Sequence, residues 1–180
     1  MHISYLQLKN WGKVGANGLL LVKDGKAMMI DSPWNDGQTE ELYQWLQDSL
    51  NAVVTTFIPT HWHEDCIGGL AYLQAQKVDS HTNRMTIDIA KEKKLPVPQH
   101  GFKDSLMLDF QNTPVECYYL GGGHSTDNIV VWLPTENILF GGCCVKDMKS
   151  KNLGNLADAD VKAWPATMRK MKDKFPEVQI

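Results

Sequence analysis

Val53-Val54-Thr55-Thr56-Phe57-Ile58 is a β-branched, apolar run that reads as a buried strand, and Pro59 ends it. From Gly68-Gly69 onward, Leu70 and Leu73 carry helical spacing. The segment between them, Thr60-His61-Trp62-His63-Glu64-Asp65, therefore lies on a turn at the strand's carboxyl end. On such a turn residues i, i+2 and i+4 converge, which brings His61, His63 and Asp65 to one point. Neutral imidazoles and a carboxylate are the ligands that borderline-soft Zn²⁺ takes, and an open position would hold a water. Surface histidines beside an N-capping aspartate are the alternative. That reading suits a lone histidine better than two histidines and an aspartate on one turn.

Composition sets the class. A chain of 180 residues with 43% hydrophobic and 22% charged side chains reads as one soluble globular domain. A domain of this size buries roughly 70% of its unfolded surface. The net charge is −3 and the lysines are scattered, so there is no electrostatic footprint for nucleic acid. The longest apolar stretches, such as Ile129-Val130-Val131-Trp132-Leu133, are too short to span a bilayer. No charged and then apolar leader opens the chain. Cys66, Cys117, Cys143 and Cys144 are too few and too irregular for a disulfide framework.

The rest of the pattern is strands and helices in two halves. His2 to Leu8 reads as a strand, followed by a glycine-punctuated loop around Trp11. Leu19 to Val22 and Ala27 to Ile30 read as a hairpin closed at Asp24-Gly25. Gln38 to Leu50 is an amphipathic helix with Leu42, Trp45, Leu46 and Leu50 on its apolar stripe. A short strand at Val78 and a helix from about Asn83 to Lys93 complete the first half. Strands follow at Ser105 to Phe110, Val115 to Leu120, Ile129 to Leu133 and Ile138 to Phe140. Asp158 or Asp160 caps a last helix, with Trp164, Met168, Met171 and Phe175 on its stripe, and Val178 opens a further strand. Two sheets packed together with helices outside are expected.

Two more positions suit metal ligation. His124 follows Gly121-Gly122-Gly123, whose backbone can approach a site closely. An ordinary loop histidine is an equal reading. Cys143, expected to end a strand after Gly141-Gly142, would be a small buried hydrophobe in isolation and a plausible thiolate ligand beside a metal cluster.

At this point the residues resemble a known family. Val54 to Pro59 running into His61-Trp62-His63-Glu64-Asp65-Cys66-Ile67-Gly68-Gly69-Leu70 carries the resemblance. So do Gly121-Gly122-Gly123-His124 running into Asp127 to Pro134, Ile138 to Cys143, Gly154-Asn155, Ala157 to Asp160, and Ala163-Trp164-Pro165. The chain resembles the subclass B1 metallo-β-lactamases, most of all the CcrA/CfiA-type zinc carbapenemases. That resemblance implies an αββα sandwich of two mixed sheets flanked by helices, with metals at the rim between them. It implies one zinc on His61, His63 and His124, and a second on Asp65 and Cys143 with one more histidine. It also implies hydrolysis of β-lactams, carbapenems included, by a metal-bound hydroxide without a covalent intermediate. Asp65 would handle the proton, and Asn155 would stabilise the oxyanion. Lys146 would pair with the substrate carboxylate, although by itself it reads as a solvated surface lysine. Trp11, in the position of a mobile flap, and Trp34, on the pocket floor, would line the substrate; a Trp11 folded back on the core is the alternative. Cys66 and Cys144 read as non-ligands and Cys117 as core.

The resemblance also has an edge. The family's last ligand is a histidine in a Pro-Gly-His turn after the strand that here begins at Val178, and none of His2, His81 or His100 has a matching context. The expectation is a single domain over residues 1–180, incomplete at both termini, without the C-terminal strand and helix. Such a chain would hold one zinc well and the second poorly. A periplasmic home is implied, with a small-molecule substrate, a monomeric state, and no nucleic-acid or membrane partner. Two alternatives stand beside this one: a thioester or phosphodiester hydrolase of the same fold, and a zinc-binding fragment without turnover. The first usually carries a histidine where Cys66 stands and an aspartate where Cys143 stands; single-zinc lactamases carry asparagine where His61 stands.

Overall fold

In a computed structural model of the chain, residues 15–146 and 149–178 are described in full and residues 2–8 by their backbone. Strand β1 (His2–Leu8) pairs antiparallel with β2 (Ala16–Lys23), which forms the expected hairpin with β3 (Lys26–Ile30). The turn between them carries Asp24 and Gly25 at φ 51° and 71°, the left-handed geometry a tight hairpin needs. From β3 the sheet turns parallel through β4 (Val53–Ile58), β5 (Asp79–Asn83) and β6 (His100–Phe102). The second sheet runs β10 (Ile138–Phe140), β9 (Val130–Leu133), β8 (Pro114–Tyr118), β7 (Ser105–Asp109). Its pairings are all antiparallel, so the parallel pairings lie in the first sheet alone.

Three layers of apolar contact hold these pieces. Alternation along β2 and β3 sends Leu19, Leu21, Met28 and Ile30 to one face. There, with Ile58, they meet Val115, Cys117, Val131 and Leu133 of the other sheet. The opposite face of the first sheet, with Leu20, Met29, Val54 and Phe57, packs on α1 (Asp36–Leu50), α3 (Leu70–Ala75) and α4 (Arg84–Glu92) through Leu42, Leu46, Leu73 and Ala90. Outside the second sheet, Val130, Tyr118 and Trp132 meet Trp164, Met171 and Phe175 of α5 (Trp164–Lys174). This helix–sheet–sheet–helix order is the expected αββα sandwich.

Local chemistry explains the element ends. Asn35 caps α1 by accepting from the Gln38 N–H at 3.0 Å, and Asn51 closes it at φ 47°. Asn83 caps α4 by accepting from the Met85 N–H at 2.9 Å. Some expectations are corrected. Trp45 is 45% exposed and lies off the buried stripe, which runs through Thr39, Leu42, Tyr43 and Leu46. At α5 the residue before the helix is Ala163; Asp160 Oδ1 accepts the Ala163 N–H at 2.9 Å, and Asp158 serves elsewhere. Val178 is outside any strand, and the remainder of the strand expected there lies outside the described residues.

Candidate metal centre

Strand β4 delivers the first candidate ligands. After Pro59, Thr60 is held from both sides: its N–H and hydroxyl donate to the Asp31 carboxylate at 2.6 and 2.9 Å, and its carbonyl accepts the Ile129 N–H at 2.9 Å. These bonds tie the end of β4 to the end of β3 and to the segment entering β9. His61 is thereby fully buried, His63 becomes the residue preceding the short helix α2 (Glu64–Ile67), and Asp65 sits in that helix's first turn. Thus the strand–turn–helix unit expected from the sequence is present.

His124 reaches the same point from the other sheet. Its loop is organised by buried side chains. Asn128 Oδ1 accepts the Ser125 N–H at 3.2 Å, while Asn128 Nδ2 donates to the Gly121 carbonyl at 3.1 Å. Asp127 accepts from the Thr86 hydroxyl at 2.7 Å and from the Ser125 hydroxyl. Gly121, at φ 133°, supplies backbone freedom that few other residues have.

The three imidazoles converge. His61 Nε2 lies 2.9 Å from His63 Nδ1, which lies 3.2 Å from His124 Nε2, and the rings meet edge-on. Nitrogens bound at 2.0–2.1 Å to a tetrahedral zinc lie about 3.3 Å apart, so this donor set fits the ion. Electrostatics favours the ligating form. Burial, then the neighbouring His63, holds the His61 pKa well below the usual imidazole value. Burial, with the positive charge of Lys146, lowers that of His124 to about 4. Both are therefore neutral at pH 7 and need release no proton to bind metal. On its far side His63 Nε2 stands 3.2 Å from Asp158 Oδ2, a partner that the sequence reading assigned to helix capping.

Beside this cluster lies a second pair. The Cys143 thiol donates to Asp65 Oδ2 at 3.3 Å. Cys143 occupies a 3₁₀ turn, Gly142–Cys144, and not the end of a strand as expected. The turn still separates the adjacent cysteines: Cys144 is buried beside Trp164, whose Nε1–H donates to the Cys144 carbonyl at 3.0 Å. Gly142 makes the turn possible. It adopts φ 52°, and a Cβ there would sit 2.6 Å from Thr60 Oγ1. Cys66 Sγ stands 3.2 Å from His61 Nδ1, the nitrogen facing away from His63. Among the described residues no further histidine joins Asp65 and Cys143; His81 and His100 stack on one another at 4.7 Å on β5 and β6.

Both positions open into one cleft of about 770 Å³, lined also by Trp34, Trp62, Lys146 and Asn155. Lys146 and Asn155, expected at the substrate site, both line this cleft. Asn155 Oδ1 accepts the Ala157 N–H at 3.1 Å, which leaves its Nδ2 as a donor. Trp34 lines the cleft beside Asp65, and its carbonyl lies 2.2 Å from where a Cβ on Gly68 would stand. Trp62, which the sequence reading passed over, carries Lys93 Nζ 4.1 Å from its ring centroid. Trp11 lies outside the described residues.

The chain is 58% identical over 178 residues to the type 2 metallo-β-lactamase of Bacteroides fragilis, spanning 99% of this chain and 72% of that protein. The chain belongs to the metallo-β-lactamase family. A type 2 metallo-β-lactamase of Pseudomonas aeruginosa is 32% identical over 180 residues, covering 71% of its length. Among solved structures, a metallo-β-lactamase from Pontibacter korlensis superposes with a TM-score of 0.88 at 39% identity, covering 98% of this chain and 81% of the other. No protein-family model matches the sequence. Metallo-β-lactamases are metal hydrolases, which agrees with the three-imidazole group at the cleft. No helix of the described residues is long and apolar enough to cross a membrane.

Proposed function

We propose that this chain hydrolyses the amide bond of β-lactam antibiotics, carbapenems included, using zinc held by His61, His63 and His124. The observation that carries the proposal is the convergence of three imidazole nitrogens at 2.9 and 3.2 Å beside the Asp65–Cys143 pair, within one open cleft. Family membership supports the same reading. A second zinc would rest on Asp65 and Cys143, which meet at 3.3 Å beside the imidazoles.

Zinc bound there supplies Lewis acidity and, from water, a nucleophile at neutral pH. The chain's own residues do the remaining work. Asp65 faces the imidazoles and the cleft; it orients the attacking water and accepts its proton. As the C–O bond forms, the carbonyl oxygen gains charge, and the Asn155 amide donates to it. The C–N bond then breaks, and the ring nitrogen takes a proton to become an amine. No side chain is acylated. Lys146, on the cleft wall, pairs with the substrate carboxylate and aligns the ring. Trp34 packs against the substrate's apolar face, and Trp11 is assigned the covering role on resemblance alone. We assign the enzyme a monomeric state and a periplasmic location; the metallo-β-lactamase relatives support a small-molecule substrate.

Incubation of the zinc-loaded protein with a chromogenic cephalosporin, a carbapenem and a glutathione thioester tests the reading. Lactam hydrolysis that chelator abolishes and zinc restores is expected. Thioester turnover without lactam turnover would replace the substrate assignment.

A further inference from the structure

Cys66 and Cys143 play different parts in the site just described, one a non-ligand and the other a member of the Asp65 pair, yet they are neighbours in space. Shared contacts place them together. Thr60 Oγ1 lies 3.6 Å from Cys66 Sγ, and the same hydroxyl is 2.6 Å from the position of a Cβ on Gly142, the residue before Cys143. Asp65 joins them as well: Cys143 Sγ is 3.3 Å from its Oδ2, and a carboxylate oxygen of Asp65 lies within 4.8 Å of Cys66 Sγ.

Access differs between the two sulfurs. Cys143 lines the open cleft, where a small molecule can reach it, whereas Cys66 is 1% exposed and shielded behind it. A buried thiol beside an accessible one is the arrangement of a resolving and an attacking cysteine. We infer that Cys66 and Cys143 form an intramolecular disulfide when the metal-free protein meets a low-molecular-weight disulfide, and that the bond disables the second metal position.

The exchange balances without any other reactant. Cys143 attacks one sulfur of the small disulfide RSSR, forming a mixed disulfide and releasing one RSH. Cys66 then attacks the Cys143 sulfur, forming the Cys66–Cys143 bond and releasing a second RSH. Two protein thiols are oxidised and one RSSR is reduced to two RSH; the two thiol protons leave on the products. Gly141 separates β10 from the turn that carries Cys143. Metal and oxidation compete, because a thiolate held by an ion is no longer available to attack.

Oxidised glutathione is the probe. The zinc-free full chain, folded as judged by circular dichroism, is incubated with it and then denatured for thiol titration and mass spectrometry. The expected result is loss of two of the four thiols, a mass lower by two hydrogens, and a peptide map linking Cys66 to Cys143. Zinc added first prevents the loss, and Cys66→Ser arrests the reaction with one glutathione on Cys143. A lasting glutathione adduct on Cys143 in the unmutated protein, a bond between any other cysteine pair, or the same oxidation rate with saturating zinc would overturn the inference. No step depends on lactam turnover, so the result stands apart from the function proposed above.

Discussion

His63 Nε2 and Asp158 Oδ2 stand 3.2 Å apart, on the side of the ring opposite the other imidazoles. A carboxylate there accepts the Nε2 proton, fixes the tautomer and leaves the Nδ1 lone pair facing His61 and His124. Removing such a partner loosens metal affinity by about 10–100-fold. Asp158→Ala is therefore expected to weaken zinc binding by that factor with the fold intact, as measured by competition with a chromophoric chelator. Unchanged affinity would leave Asp158 as a surface carboxylate only.

Cys143→Ser replaces the thiol that meets Asp65 with a poorer zinc ligand of similar shape. Carbapenem turnover should fall by about 100-fold or more, since loss of a direct ligand exceeds the cost of losing an outer partner. Steady-state rates at fixed zinc, alongside metal counting by native mass spectrometry, provide the check. An unaltered rate would remove Cys143 from its assigned role.

Asp31 gives a pH signature. Burial raises its pKa from 3.8 to about 7, against the opposing hydrogen bonds from Thr60. The folded chain therefore keeps this proton up to about pH 7, while the unfolded chain releases it near pH 4. Between those values the native state binds more protons, so the stability drawn from Asp31 is whole below pH 4 and drains away as pH rises to 7. In zinc-free protein, Asp31→Asn should gain relative to the parent across that window, by denaturant unfolding at several pH values. A difference that stays flat from pH 4 to 7 would contradict the assignment.

Gly69 meets the Thr39 side chain so closely that an added Cβ would lie 1.9 Å from Oγ1. That hydroxyl cannot easily retreat, because it donates to the Asn35 carbonyl at 2.9 Å. Gly69→Ala should destabilise the protein by about 1–3 kcal/mol, in the range of overpacking. A thermal or denaturant midpoint equal to that of the parent would show that α1 and α3 move apart at little cost.

What the sequence made legible was local. The run Val53–Ile58, the Pro59 stop and the double glycine at Gly68 place His61, His63 and Asp65 with no tertiary information. The hairpin of β2 and β3 follows from Asp24-Gly25 in the same way. What it hid was made by distant partners. Asp31 is unremarkable in its own neighbourhood and acquires its role only by facing Thr60 across two strands. Asp158 reads as a helix cap until the fold carries it to His63. Strand β6 is three residues long, too short for alternation to reveal, and exists because β5 lies beside it. Trp45 misled through its size: an indole at near-helical spacing looks buried, but Leu42 and Leu46 already fill the groove against the sheet.

The donors of the centre come off opposing halves of the sandwich, His61 and His63 after β4, His124 ahead of β9 and Cys143 after β10. They assemble as a set only when the two layers are docked, so an ion bound by the whole set would favour the docked sandwich. An ion seated there then works as a rivet across the seam. At a concentration 100 times its dissociation constant it would add about 2.7 kcal/mol to the work of prising the layers apart.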